Sequence, residues 1–152
     1  MTRYFEDLPE GTTVALGTTT VTQDDIVGFA RSWDPQSFHL DPTAASASTF
    51  GGLIASGVHT LALYMRLFVD GLLGDAASLG SPGIDELRWP KPLRPDDRIT
   101  ATYLVESARI SVSHPAWGIV RGVGEAHNQH DETVLRMTVV NLFGRRPSAA
   151  HG

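Results

Sequence analysis

Between Ser56 and Gly74 the chain carries a segment that is apolar around most of a helix circumference. Val58, Leu61, Ala62, Met65, Phe68, Val69 and Leu72 recur at helical spacing, and Leu63, Tyr64, Leu67 and Leu73 widen that stripe. Such a helix has to be covered from more than one direction. His59, Arg66 and Asp70 are its main polar positions, with Arg66 and Asp70 spaced to pair across one turn. The chain beyond Gly83 reads as the cover. The stretches Ile84 to Trp89, Arg98 to Val112, Gly118 to Asn128 and Thr133 to Gly144 read as strands, and Ile99, Ala101, Tyr103 and Val105 alternate with polar residues. Pro95-Asp96-Asp97, His114-Pro115 and His130-Asp131-Glu132 are tight-turn sequences, so neighbouring strands run antiparallel. Leu16 to Thr22 offers one earlier strand. The expected architecture is α+β, an antiparallel sheet of about five strands wrapped around a central helix.

Ahead of that helix the chain predicts two shorter ones. Thr22 and Asp25 form a helix-start signal, followed by Ile26, Phe29, Ala30 and Trp33 at helical spacing. Pro35 stops this helix, because a residue preceding proline avoids the helical region. Asp41-Pro42 is a second start, for a short helix over Thr43 to Ser48. One domain over residues 1–146 is expected, with 147–152 a flexible tail.

Composition narrows function by exclusion. A net charge of −5 with few clustered cations argues against a nucleic-acid partner. The absence of cysteine removes thiol catalysis and thiolate metal sites. Leu61 to Leu73 is too short, and too interrupted by Arg66 and Asp70, to span a membrane. The first residues do not resemble a signal peptide, so a cytoplasmic protein without a membrane partner is the default expectation. No metal is expected: His127 and His130 are spaced to face opposite ways, and His39 with Asp41 lacks a third ligand. Gly51-Gly52 lacks the spacing of a nucleotide loop.

The stretch Ser32 to Asp41, SWDPQSFHLD, places Asp34 and His39 five residues apart between two helices. Held together, a carboxylate and an imidazole make an acid–base pair that works near neutral pH. The competing reading is a capping aspartate and a half-buried loop histidine. Trp33 and Phe38 put apolar bulk beside the pair. Further on, Ser56-Gly57 opens the central helix, where unpaired N–H groups carry partial positive charge and a residue without a side chain lets an oxygen approach. Taken alone, Ser56-Gly57 is better explained as an ordinary helix cap, and His59 fits a core position better than a site position.

These residues resemble the MaoC-like dehydratases, which include the R-specific enoyl-CoA hydratases. Ser32, Asp34, His39 and Ala45 match the family's hydratase motif in place, and Ser56-Gly57 stands at its glycine-bearing helix start. The opening YFEDLPEGT and the KPLRPDD before a strand are also similar, so the resemblance covers about residues 4–146. Trp33, Gln36, Ser37 and Phe38 depart from the motif, standing where the family has Gly, Asn, Pro and an aliphatic residue.

The resemblance implies the hotdog fold and a homodimer. It implies interconversion of a trans-2-enoyl-CoA and an (R)-3-hydroxyacyl-CoA, with a CoA or acyl carrier protein thioester as substrate and no further cofactor. Asp34 and His39 would activate water, and the Gly57 N–H would hold the thioester oxygen. Trp33, Gln36, Phe38 and Ser56 would shape the substrate pocket. A thioesterase or a non-catalytic acyl-CoA-binding subunit remains open on the same fold. Arg31, Arg88, Lys91 and Arg94 are candidate phosphate contacts, an assignment that surface solvation rivals.

Overall fold

Helix starts follow the local signals. The computed structural model describes residues 1–148. Asp25 N–H donates to the Thr22 hydroxyl at 3.1 Å and Thr22 N–H to the Asp25 carboxylate at 3.0 Å, a reciprocal cap opening α1 (Gln23–Trp33). Ile26 and Ala30 are its buried residues. The helix ends at Asp34, ahead of Pro35. A single turn, α2 (Ser37–Leu40), then forms where the sequence suggested only an ordered link. Asp41 caps α3 (Pro42–Ser46), its carboxylate accepting from Thr43 N–H at 2.9 Å, and the helix closes earlier than the expected Ser48.

The central helix, α4 (Gly57–Gly71), starts where Ser56 accepts from Val58 N–H at 3.3 Å. It stops at Gly71, not Gly74. Leu72 leaves helical geometry (φ −144°, ψ −62°) to place its side chain in the core, and Leu73–Asp75 form a tighter 3-10 turn.

Five strands form one antiparallel sheet: β1 (Thr13–Thr20), β2 (Gly83–Arg88), β3 (Arg98–Ile110), β4 (Trp117–His127) and β5 (Thr133–Gly144), in the order β1-β3-β4-β5-β2. β1 lies slightly earlier than the sequence suggested. Val21 exchanges backbone hydrogen bonds with the Asp96-Asp97 turn, and Thr22 is committed as a helix cap. On β3 the predicted inward residues Ile99, Ala101, Tyr103 and Val105 are all buried. The sheet curls around α4, giving the expected hotdog arrangement. Tyr64 and Phe68 of α4 meet Tyr103 of β3, with Phe68–Tyr103 ring centroids 4.8 Å apart, and the Tyr64 hydroxyl donates to the Thr102 carbonyl at 2.9 Å. These rings fill the space between helix and sheet. Among the described residues no helix is long and apolar enough to cross a membrane. The tail expected at 147–152 falls mostly outside the described residues.

Gly71 is where α4 presses on β1. A Cβ there would lie 2.7 Å from the Leu16 Cα and 2.8 Å from its carbonyl oxygen, both backbone atoms. Alanine is the better helix former by about 1 kcal/mol. Overpacking against backbone nevertheless dominates, and Gly71→Ala is expected to lower stability by about 1–3 kcal/mol. Urea unfolding checks this through a lower midpoint at unchanged slope.

Candidate functional site

Asp34 occupies the helix exit because α1 cannot continue into Pro35. Its N–H still donates to the Ala30 carbonyl at 2.9 Å, while its backbone turns out of the helix (φ −155°, ψ 70°). Its carbonyl accepts from Gln36 N–H at 2.8 Å, and the Gln36 carbonyl from His39 N–H at 3.0 Å. This turn brings α2 back so that the His39 ring faces the Asp34 carboxylate.

His39 is buried, at 4% exposure. Its Nδ1 lies 2.7 Å from the Ile54 carbonyl oxygen. A carbonyl only accepts, so Nδ1 carries a proton and donates it there, leaving Nε2 as the ring nitrogen directed at Asp34. That Nε2 is 3.2 Å from Asp34 Oδ2. The other oxygen, Asp34 Oδ1, accepts from the Gln36 side-chain amide at 2.7 Å. Gln36 thus delivers its amide to the carboxylate despite the extra methylene relative to asparagine. Phe38 packs edge-on to the imidazole, with centroids 4.5 Å apart.

The segment bonded to His39 also leads into α4. Ile54 N–H donates to the Phe38 carbonyl at 3.2 Å and Ala55 N–H to the Leu93 carbonyl at 2.8 Å. Leu53, Ile54, Ala55 and Ser56 are all buried. They fix the helix start beside the Asp34–His39 pair.

A cavity of about 490 Å³ opens at this junction. Asp34, Gln36 and His39 form its polar wall, Ser56, Gly57 and Thr60 the helix-start wall, and Phe38, Phe50, Trp89 and Leu93 its apolar lining. Of the residues singled out from sequence, Asp34, Gln36, Phe38, His39, Ser56 and Gly57 meet here. Trp33 does not line this cavity. It is the last residue of α1 and 74% exposed, and the helix exit that turns Asp34 inward leaves Trp33 outward. His59 lies off the cavity and is buried, with its ring stacked on Phe29 at 4.5 Å. Burial pushes its pKa down, against a weaker pull from Asp25. His127 binds Glu125 and Thr133, away from His130, and among the described residues no group of three metal-ligating side chains converges.

Trp89 is the main residue that sequence reasoning missed. A Cβ on Gly57 would lie 2.5 Å from the indole Cε2, so the indole occupies the space that the missing side chain leaves open. The space above the Gly57 Cα is thus taken by the indole and not left open as the sequence suggested, and a side chain at this position would have to displace the ring. The available signal was an aromatic residue followed by Pro90-Lys91-Pro92, a run unable to continue a strand.

A family model described as "MaoC like domain" matches residues 5–116. The chain is 40% identical over 126 residues to the uncharacterized protein YdeM of Bacillus subtilis (strain 168), covering 82% of this chain and 87% of that one. It is 36% identical over 85 residues to 3-hydroxyacyl-thioester dehydratase Z of Mycobacterium tuberculosis (strain ATCC 25618 / H37Rv), covering 55% of this chain and 56% of that one. The crystal structure of a MaoC-like dehydratase from Rhodospirillum rubrum superposes with a TM-score of 0.89 at 40% identity, covering 95% of this chain and 99% of that one.

The Gln36 amide, followed by the Ser56 hydroxyl and the His39 ring, holds the Asp34 carboxyl below the usual carboxylate range, with desolvation opposing. The unfolded chain therefore binds more protons than the folded one between the two pKa values, and stability rises with pH in that window. Asp34 contributes stability at neutral pH that is lost as pH falls through its folded pKa. Asp34→Asn is expected to lack that component. Denaturant unfolding of both proteins between about pH 5 and pH 2 checks it, and parallel curves would refute it.

Proposed function

The chain belongs to the MaoC-like dehydratase family, and from that premise we propose that it hydrates a trans-2-enoyl thioester to an (R)-3-hydroxyacyl thioester, or catalyses the reverse dehydration. The observation that carries this reading is the hydrogen bond from His39 Nδ1 to the Ile54 carbonyl, which leaves Nε2 facing Asp34 in the same cavity as the Gly57 helix start. In the hydration direction a water in the cavity is held jointly by the Asp34 carboxylate and the His39 ring. Its oxygen bonds to the β-carbon as the pair takes one of its protons. The α-carbon receives a proton from the pair, so that one water is added overall. Negative charge that builds on the thioester oxygen is met by the Gly57 N–H, left without an intrahelical partner at the first position of α4. Gln36 keeps the carboxylate aimed and ionised.

A homodimer accompanies this reading. β2 pairs with β5 on one side and ends the sheet on the other. Val58, Met65 and Val69 leave a partly exposed apolar stripe on α4. A second copy would cover such surfaces.

Loss of the conjugated enoyl absorbance of crotonyl-CoA with purified protein is the test. Asp34→Asn and His39→Ala are each expected to lower kcat by about a hundredfold or more, the usual range for removal of an acid–base group. Full rates in both variants would overturn the assignment. Release of free thiol in place of hydration would instead identify a thioesterase. Binding of acyl-CoA with no turnover across a panel of chain lengths would identify a non-catalytic subunit.

A further inference from the structure

Lys91 is the only lysine in the chain, and it stands between Pro90 and Pro92 in the connection from β2 to β3. It lines the Asp34–His39 cavity and also a neighbouring cavity of about 380 Å³, in which Arg94, Asn128 and His130 take part. The two cavities share Lys91 and Pro92, so Lys91 stands on the ridge between them. In a protein of net charge −5, six of the eleven arginines stand in ion pairs, yet neither Lys91 nor Arg94 does among the described residues.

Asp97 and Glu132 also line this second cavity, each held by neutral donors. Asp97 accepts from Arg94 N–H at 2.9 Å and from the Gln129 amide at 2.8 Å, and Glu132 accepts from the Asn128 amide at 3.1 Å. Arg94 is held in place, donating to the Phe50 carbonyl at 2.7 Å, and so ties the cationic ridge to a residue of the main cavity wall. Of the other cations weighed from sequence, Arg88 faces Glu86 at 3.8 Å, and Arg31 belongs to α1 and lines neither cavity.

Resting on the acyl-thioester reading above, we propose that Lys91, supported by Arg94, binds the phosphate at the end of a phosphopantetheine arm whose thioester reaches Asp34 and His39. An ammonium on a flexible stem suits a phosphate as a point charge with three donors. The phosphate is common to CoA and to the prosthetic arm of an acyl carrier protein, so one contact serves either carrier.

The test measures binding by calorimetry of butyryl thioesters, which cannot be hydrated. The carriers are pantetheine, phosphopantetheine, CoA and acyl carrier protein, each with the wild-type chain, Lys91→Gln and Lys91→Arg. The phosphate is expected to raise wild-type affinity about tenfold or more, the range for a hydrogen bond to a charged group. That advantage falls towards unity in Lys91→Gln and returns in Lys91→Arg. CoA and carrier-protein thioesters lose affinity alike in Lys91→Gln. An undiminished advantage in Lys91→Gln overturns the assignment. So does equal weakening of the phosphate-free thioester, a loss confined to CoA, or no binding by the wild type. Crotonyl thioester turnover is read separately: absent turnover with the binding pattern intact removes the hydratase reading and leaves the phosphate contact standing.

Discussion

The hydrogen bond from His39 to the Ile54 carbonyl is the contact on which the site depends. At 2.7 Å it fixes the proton on Nδ1, and so determines which nitrogen meets Asp34. It also ties α2 to the chain that enters α4. Acid–base pair and helix start are therefore positioned by the same bond. Removing the ring would loosen the segment, since a buried carbonyl would lose its donor.

That arrangement rests on a frame the central helix imposes. α4 is apolar on most sides, and the sheet covers it through Tyr64, Phe68 and Tyr103. The interior beneath the helix is filled by rings, which leaves the helix N-terminus as the place where a cavity opens. Gly71 lets the far end of the helix press on β1, and Gly57 lets the near end receive Trp89. The two glycines thus serve one purpose at opposite ends: each admits a neighbour that a Cβ would push away.

The connection carrying Trp89 to Leu93 links core and site. Leu93 is buried and accepts from Ala55 N–H at 2.8 Å, anchoring the segment against the helix entry. Its exposed members, Trp89, Pro90 and Lys91, line the cavity. The aromatic residue meets the helix start and the cation meets the rim, so an uncharged wall and an anion-seeking edge come from neighbouring positions.

The sequence by itself determined what depends on local chemistry. Thr22 with Asp25, and Asp41 with Pro42, start helices because their bonds span only a few residues. The period-two alternation on β3 set which side chains turn inward, and the apolar girth of the central helix called for a wrapping sheet. Asp34 and His39 stood out because five residues suffice to bring them together. Tertiary structure decided what depends on distant partners. The turn of α2 is too short to form on propensity alone and is held by Ile54. Trp33 lies outside because the angle of a helix exit decides which of two neighbours turns in. The indole over Gly57 and the ridge at Lys91 arise only where the β2–β3 connection folds back on α4, a contact between segments far apart in the chain that no local pattern encodes.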